Sequence, residues 1–282
     1  MPATSRLEIH MKILALFVAS TMMLGSATGH GQAADPVASN ATPTNATPLK
    51  PAAKRITTIT EIKADKVEDC KKLFAAVPAG VAEGFKSAGI RNMTCYLKEI
   101  GGKFFVITYC EYAGTDIKRD SARLAGQPVM KAWQQSLDAL QPAVKSIPPD
   151  DVEEVFYTEG AADVVPTPEK YKRIGMITGL KPEKEAEYRT LHATTWPGVL
   201  KGIKDGNLRN FTIRLADIGG SLYLIGYLEY VGKDADADDA AGKALPVNKR
   251  WWKFTDACQQ PLPAAAAKGG IWDGLDEIWH LD

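Results

Sequence analysis

Hydrophobic and polar positions follow one succession of patterns twice along the chain. Residues 56–62 and 174–180 are aliphatic and β-branched runs bounded by charged residues, which predicts a first strand in each unit. Residues 65–86 and 183–204 then carry helical periodicity and good helix formers, so we predict one helix over each range. Each unit therefore opens with a strand followed by a helix.

A hairpin follows in each unit. Alternating hydrophobic residues flank Gly101-Gly102 and Gly219-Gly220, and paired glycines between such runs indicate a tight turn. The remaining predicted elements are a second helix, over 129–140 and 247–258, and a short last strand, over 152–157 and 275–281. The order βαββαβ is the split ferredoxin-like motif, and one such sheet leaves an apolar face that a second copy can cover. We therefore predict an α+β chain of two tandem ferredoxin-like domains, packed as an intramolecular dimeric α/β barrel.

The two units are copies of one another. Shifting the chain by 118 residues places residues 54–141 on 172–259 without a gap, and 35 of these 88 positions are identical. Average residue usage gives an identity of roughly one in seventeen by chance, so the similarity indicates a duplication. The predicted organisation is a first repeat over 54–158, a Pro-containing linker over 159–170 and a second repeat over 171–282.

The N-terminal residues differ in composition from the repeats. Met11-Lys12 precede a short apolar run that ends in small residues, which is the pattern of a secretory signal peptide over residues 1–34. Residues 35–53 are rich in Ala, Thr, Asn and Pro and cannot bury a core, so we predict a disordered linker. These features predict export to the periplasm or the extracellular space, with no membrane attachment after removal of the signal.

Charge and cysteine content narrow the classes of partner. Lys plus Arg and Asp plus Glu both number 34, so the formal net charge is zero. Nucleic-acid binding needs a basic excess on one face, so this balance favours small neutral partners. The four cysteines match no metal motif: Cys70, Cys95, Cys110 and Cys258. Cys95 and Cys110 flank the first hairpin and can pair in an oxidising compartment, but their apolar counterparts Ile213 and Leu228 favour buried thiols.

The informative chemical difference between the repeats lies on the first predicted helix. In the second repeat Tyr188, His192 and Trp196 are spaced by four residues, which places them on one stripe of that helix. Trp251-Trp252 open the second helix of the same repeat. The equivalent positions of the first repeat hold other residues, namely Cys70, Phe74, Pro78, Trp133 and Gln134. Only the second repeat therefore combines an imidazole and a phenol with several indoles.

Two interpretations of this stripe are open. Aromatic stripes and lone histidines are more often parts of a core than of a site. After residue 34, however, the only histidines are His192 and His280, and histidine is the side chain best matched to proton transfer at neutral pH. Indole faces suit the apolar face of a sugar ring, while Tyr and His suit its hydroxyls. The second interpretation is a site for a small neutral sugar.

The run from Glu185 to Pro197 resembles the L-rhamnose mutarotase family in its spacing of Glu, Tyr, His and Trp-Pro. Asn210-Phe211, the Arg-Trp-Trp-Lys-Phe segment at 250–254 and the Asp-Glu-Ile-Trp segment at 276–279 add to the resemblance. The likeness covers about residues 171–282 and, more faintly, the first repeat. It implies a ferredoxin-like fold, dimers formed through the sheets, and interconversion of the α and β anomers of L-rhamnose.

The same resemblance implies roles for individual residues. It assigns His192 as the proton donor, with Tyr188 and Trp251-Trp252 contacting the sugar; we add Trp196 as a further candidate contact. The family usually has tyrosines on the first hairpin strand, where this chain has Phe211 and Arg214, which we also take as substrate contacts. An arginine can replace a phenol as a donor but brings a permanent charge.

We expect an isomerase that opens and recloses the ring of L-rhamnose or a related sugar by acid–base catalysis, without a metal or organic cofactor. Its base is left open between water and Tyr188. The acidic segment 233–243 is predicted to be a solvated loop rather than a cation site, since carboxylates alone do not fix coordination. Two alternatives stay open: an exported, non-catalytic sugar-binding or scaffold protein, and a dimeric-barrel oxygenase or haem-handling protein. The first repeat is expected to replace a partner subunit, which predicts a monomer.

Overall fold

The computed structural model describes residues 53–142, 146–164 and 171–282. The predicted signal peptide over 1–34 and nearly all of the predicted linker over 35–53 lie outside these residues, as does the second half of the inter-repeat linker. Within the described ranges, no helix has both the length and the apolar character needed to cross a membrane.

Each repeat contains the four predicted strands, but the first has four α-helices and the second has five where two were predicted, and the second adds two short strands. The first repeat consists of β1 (Lys54–Ile62), α1 (Val67–Ala75), α2 (Ala79–Ser87), β2 (Ile90–Ile100), β3 (Lys103–Tyr112), α3 (Ile117–Gly126), α4 (Pro128–Leu140) and β4 (Val152–Gly160). The second consists of β5 (Lys172–Leu180), α5 (Glu185–Ala193), α6 (Pro197–Asp205), β6 (Leu208–Ile218), β7 (Ser221–Tyr230), α7 (Ala235–Ala244), α8 (Pro246–Cys258), β8 (Gln259–Gln260), α9 (Pro263–Ala266), β9 (Asp273–Gly274) and β10 (Asp276–Leu281).

The two antiparallel sheets exchange their last strands. The first sheet has the order β1-β3-β2-β10, and the second has the order β4-β6-β7-β5-β8, with β9 also paired to β5. The last strand of the first repeat therefore pairs with β6 of the second, placing Phe156 opposite Ile213. Reciprocally, β10 places Trp279 opposite Cys95 on β2. Each repeat thus completes the sheet of the other.

Three of the four hydrophobic clusters in the described residues define these layers. One lies between the first sheet and its helices, and one lies between the second sheet and its helices. The third joins the two sheets through residues at equivalent positions of the repeats, including Ile59 with Ile177 and Ile107 with Ile225. The sheets therefore face one another across a shared core, and the helices cover the outer faces. This arrangement confirms the predicted α+β fold and its packing as a dimeric α/β barrel within one chain.

The hairpin turns follow the predicted glycine chemistry. Gly101 and Gly102 have φ of 59° and 79°, and Gly219 and Gly220 have φ of 66° and 87°. Two successive residues in the left-handed region match the right-handed twist of the flanking strands, and glycine adopts that conformation without steric cost. The paired glycines thus fix the register of β2 with β3 and of β6 with β7.

The prediction of one continuous first helix in each repeat is wrong. The helix ends at Ala75 in the first repeat and at Ala193 in the second, and a new helix begins a few residues later. Pro197 is the first residue of α6, and Trp196 before it is extended, with ψ of 137°. Proline removes a backbone donor and disfavours helical geometry in the preceding residue. Trp196 therefore does not lie on the helical stripe of Tyr188 and His192.

The prediction of a solvated loop over 233–243 is also wrong, because most of this acidic segment forms α7. Asp234 begins this helix, because its carboxylate accepts the backbone N–H of Ala237 at 3.0 Å. The helix consists of Ala, Asp, Gly and Lys only, so it has no apolar residue larger than Ala, and none of its residues is buried. Its sequence therefore lacks the hydrophobic periodicity by which amphipathic helices are predicted.

Candidate active site

A cavity of about 670 Å³ lies between the second sheet and its helices. Its walls come from α5, α6, α7, α8, β5, β6 and β7 of the second repeat and from β4 of the first. Several candidate residues line it, together with one from the exchanged strand: Tyr188, His192, Phe211, Trp251, Trp252 and Phe156. A concave, mostly apolar hollow with a few polar groups is the usual form of a small-molecule site.

His192 lies in the last turn of α5, within a set of aromatic rings. Its imidazole lies 4.1 Å from the ring of Tyr188 and 5.4 Å from the rings of both Phe156 and Trp251, measured between centroids. Burial among these rings lowers the pKa of His192 from 6.5 to about 4, because the charged form loses its hydration. The imidazole is therefore neutral at pH 7.

The tautomer of His192 follows from its one hydrogen bond. Nδ1 lies 3.1 Å from the backbone oxygen of Tyr188, and a carbonyl oxygen only accepts, so Nδ1 carries the proton of the neutral ring. Nε2 consequently has a free lone pair and no hydrogen-bond partner among the described residues. The geometry thus gives His192 an acceptor, rather than a donor, for a molecule in the cavity.

Tyr188 contributes the second polar group at this end of the cavity. Only 1% of its surface is exposed, and desolvation raises the pKa of its phenol well above the ordinary value of 10. Gln259 of β8 opposes this rise in the pKa, but the effect of burial is larger. The hydroxyl is therefore protonated throughout the physiological range and is available as a donor.

The indoles have unequal positions. Trp251 is 5% exposed and Trp252 is 37% exposed, and both line the cavity, as does Phe211. Trp196 is not among the lining residues, since its ring packs on Trp251 and Phe254 at 5.3 and 5.8 Å, with Arg250 stacked at 5.2 Å. Trp196 therefore supports Trp251 from outside the cavity, and its contact with the substrate stays a prediction.

The expectation that Arg214 lines the same site is wrong. Successive residues of a strand point to opposite faces, and Arg214 lies three positions from Phe211 on β6. Its guanidinium donates to the carboxylate of Glu154 at 2.9 Å and to the backbone oxygen of Arg55 at 2.8 Å. The Arg214 side chain is 10% exposed and belongs to the space between the two sheets. It stabilises the association of the repeats.

Sequence reasoning missed several lining residues. Phe156 belongs to the first repeat and reaches the cavity only because the last strands are exchanged. Trp272 follows a segment without counterpart in the first repeat, so the comparison of repeats gave no signal for it. Asn248 and Asp256 line the cavity from α8, and burial raises the pKa of Asp256 above its ordinary value. Their one detectable signal was their place on the same helix as Trp251-Trp252.

The corresponding space of the first repeat is filled. Phe74 replaces His192 and packs edge-on against Trp133 at 5.6 Å, and Trp279 from the exchanged strand β10 packs beside Phe85 at 6.3 Å. The space left there is about 20 Å³, against about 670 Å³ in the second repeat. The first repeat therefore has a core where the second has a cavity.

The cysteines and the acidic helix show no ligand chemistry. Cys70, Cys95, Cys110 and Cys258 are free, buried thiols, and burial raises the pKa of each of them. This agrees with the thiol interpretation over the Cys95–Cys110 pairing. In the described part of the chain, no three His, Cys, Asp or Glu side chains are grouped so that they could hold a metal ion.

Comparison with known proteins follows the division into repeats. The model of a family described as L-rhamnose mutarotase matches residues 55–158 and again residues 173–281. An L-rhamnose mutarotase of Oceanobacillus iheyensis is 26% identical over 111 residues, which are 39% of this chain and 99% of that protein. The L-rhamnose mutarotase of Lactiplantibacillus plantarum is 26% identical over 110 residues, 39% of this chain and 98% of that protein.

A solved structure from Lactobacillus acidophilus, described as a possible monooxygenase, is 9% identical and covers 80% of this chain and 95% of its own, with a TM-score of 0.49. The two curated relatives each have about the length of a single repeat. The family model, by contrast, matches both repeats and so accounts for most of the described residues. The chain therefore belongs to the L-rhamnose mutarotase family, as a tandem duplication of its domain.

Proposed function

We propose that the second repeat interconverts the α and β anomers of L-rhamnose or a closely related deoxy sugar. The observation that carries this proposal is a neutral imidazole, His192, whose Nε2 is free at an aromatic-lined cavity in a chain of the mutarotase family. Membership of the family supports the reaction type, and the position of His192 supports an acid–base route.

The reaction needs one proton removed and one supplied. A base takes the proton of the anomeric hydroxyl, a donor protonates the ring oxygen, and the bond between the anomeric carbon and the ring oxygen breaks. The resulting open-chain aldehyde rotates about the bond to its neighbouring carbon. Reclosure on the other face of the carbonyl returns both protons and yields the other anomer, so no atoms or electrons are exchanged with a cofactor.

The tautomer of His192 supports the role of base. With its proton held on Nδ1 by the Tyr188 carbonyl, Nε2 can accept the proton of the anomeric hydroxyl. Tyr188, whose phenol is protonated and whose ring lies 4.1 Å from that of His192, supplies the donor to the ring oxygen. This assignment reverses the one that the family resemblance implied, in which His192 donates.

The remaining lining residues support binding of the sugar ring. The indoles of Trp251 and Trp252 offer apolar faces to the C–H groups of the ring, and Phe211 adds a third aromatic surface on β6. The first repeat lacks this space, which supports a structural role for it: it supplies β4 and takes the place of a second subunit. Under this proposal the chain is a monomer that carries one site.

Anomer exchange tests the proposal directly. Saturation-transfer NMR on an equilibrium mixture of α- and β-L-rhamnose should show exchange above the buffer rate, and His192→Gln should lower the enzyme-dependent rate by about a hundred- to ten-thousand-fold. Phe74→Leu, at the equivalent position of the first repeat, is the matched control and should leave the rate unchanged. Unaltered exchange by His192→Gln would remove this residue from the mechanism.

The same samples distinguish the non-catalytic alternative. The observation in its favour is that the family fold persists without a cavity in the first repeat. Calorimetry showing tight binding of L-rhamnose, together with exchange no faster than buffer, would select an exported sugar-binding protein over an enzyme.

A further inference from the structure

The cavity is larger than the sugar that the proposed function requires. A deoxyhexose has eleven non-hydrogen atoms, and even at the volume of a liquid water molecule for each atom, about 30 Å³, it takes roughly 330 Å³. The cavity of about 670 Å³ has twice that volume. A monosaccharide beside His192 therefore leaves at least half of the space unoccupied.

The surplus space extends along the strands, away from His192. His192 packs against Phe156, and Phe156 pairs with Ile213 on β6, so His192 lies near the Ile213 end of the lining. Leu208, at the other end of the lining, is five residues before Ile213 on the same strand. At about 3.3 Å for each residue, this separation is on the order of 15 Å. We call the far end the distal compartment; its lining includes Leu208, Ile174, Leu228, Ile203, Gly242 and Asn248.

Smaller side chains than those of the first repeat create the distal compartment. Gly242 replaces Leu124, Asn248 replaces Met130 and Ile203 replaces Phe85. The consequence is visible on the first strand of each repeat, since Ile56 is 3% exposed in the filled core whereas its equivalent Ile174 is 38% exposed. An exposed aliphatic side chain on the helix-covered face of a sheet is available for contact with a ligand.

The polar groups of the distal compartment are nearly all engaged. Asp238 accepts hydrogen bonds from Tyr230 and Asn207, and Asp239 pairs with Lys243. Asn248 differs, because it is 8% exposed and its Nδ2 donates to the backbone oxygen of Gly242, while Oδ1 has no partner within the described residues. This amide oxygen is fully buried and not exposed to the cavity, so its missing donor is a local cost of having Asn248 where the first repeat has Met130.

We infer, resting on the proposed function, that the substrate is a reducing deoxyhexose with an O-linked, mainly apolar chain that occupies the distal compartment. A second sugar residue fits less well. Its hydroxyls would each need a partner, whereas Asp238 already accepts from Tyr230 and Asn207, and Asp239 is paired with Lys243. The anomeric hydroxyl of the substrate stays free, as ring opening demands, so the chain is attached at another ring oxygen.

Binding calorimetry with three synthetic sugars tests this inference. The probes are L-rhamnose ethers with a 4-hydroxybutyl chain on O2, O3 or O4, compared with L-rhamnose itself. Burial of four methylene groups should make at least one ether bind about tenfold tighter or more. Gly242→Leu, which restores the residue of the first repeat, should return that ether to the affinity of L-rhamnose and leave L-rhamnose unaffected. A Cβ at Gly242 has no contact closer than 4.0 Å, so the substitution itself is accommodated.

The matched control is Gly126→Leu in the first repeat, where an added Cβ meets nothing within 4 Å, and it should change neither affinity. The inference is overturned if no ether binds more tightly than L-rhamnose, or if a reducing rhamnosyl disaccharide binds more tightly than every ether. Anomer exchange, measured on the same samples, separates the two proposals. Exchange of L-rhamnose without any gain for the ethers would refute only the distal compartment; a gain in affinity without exchange would refute only the enzymatic proposal.

Discussion

The two repeats share a backbone and differ in what occupies the space between sheet and helices. At the centre of that space the first repeat has Phe74 where the second has His192. Towards the edges, Leu124 and Met130 of the first repeat correspond to Gly242 and Asn248 of the second. The outcome is about 20 Å³ in one repeat and about 670 Å³ in the other. A few changes of side-chain volume thus separate a core from a site on one fold, which is the usual relation between folds and functions.

The comparison predicts that equivalent tryptophans contribute unequally to stability. Trp133→Ala should destabilise the protein by about 3–5 kcal/mol, because it removes an indole from a filled core and leaves a void. Trp251→Ala should cost clearly less, because one side of that indole already faces the cavity. Denaturant unfolding of the two variants measures the difference, and equal losses would show that the second cavity is not hollow in solution.

The carboxylates on the exchanged strands should also contribute unequally to stability, with the larger contribution from β4. Glu154 on β4 binds Arg55 at 2.8 Å and Arg214 at 2.9 Å, whereas its equivalent Glu277 on β10 binds only the more exposed Arg173. Glu154→Ala leaves the buried Arg214 without a counter-charge, and we expect a loss of about 3 kcal/mol. Glu277→Ala should lose about 1 kcal/mol or less. Chemical denaturation of both variants is the measurement, and a larger loss for Glu277→Ala would contradict this account of the interface.

His192 should make stability depend on pH in a way that its counterpart Phe74 cannot. Its folded-state pKa of about 4 is below the ordinary 6.5, so the unfolded chain binds the proton first. Stability is therefore complete above pH 6.5, falls as the pH is lowered, and stops falling below about 4. The shift corresponds to about 3 kcal/mol. Unfolding midpoints from pH 7 to pH 4, compared with those of His192→Gln, isolate this contribution from the other titrating groups.

The same pH series tests the direction of proton transfer. A base at Nε2 is active while the imidazole is neutral, so enzyme-dependent anomer exchange should stay level from pH 7 to about 5 and decline near 4. Exchange that instead increases as the pH approaches 4 would identify His192 as the donor, and the roles of His192 and Tyr188 would have to be exchanged.

Much of the fold could be predicted because its signals are local and repeated. The paired glycines at 101–102 and 219–220 and the alternating runs beside them define both hairpins, and the 118-residue shift relates one half of the chain to the other. The interruption before Pro197 was visible in the sequence but was outweighed by the helical periodicity on both sides. Helix α7 gave no such signal, because a helix without large apolar residues has no periodicity to detect.

The site was predictable only in part, for a different reason. Tyr188, His192 and Trp251-Trp252 are conspicuous residues, and the structure brings them together. Gly242 and Asn248 contribute to the site because their side chains are small and leave space, and a pattern of residue types does not reveal empty space. The position of Phe156 depends on which sheet β4 joins, and a one-dimensional pattern does not say whether a strand pairs within its own repeat.

The exchange of β4 and β10 makes each half of the molecule dependent on the other for its architecture. Phe156, a wall of the candidate active-site cavity, is encoded in the half whose corresponding space is filled. Neither half is a self-sufficient folding unit in this arrangement, so a gene fragment encoding residues 171–282 would lack both an edge of its sheet and a side of its binding space. The half without the cavity is thereby retained, because it is a piece of the half that has it.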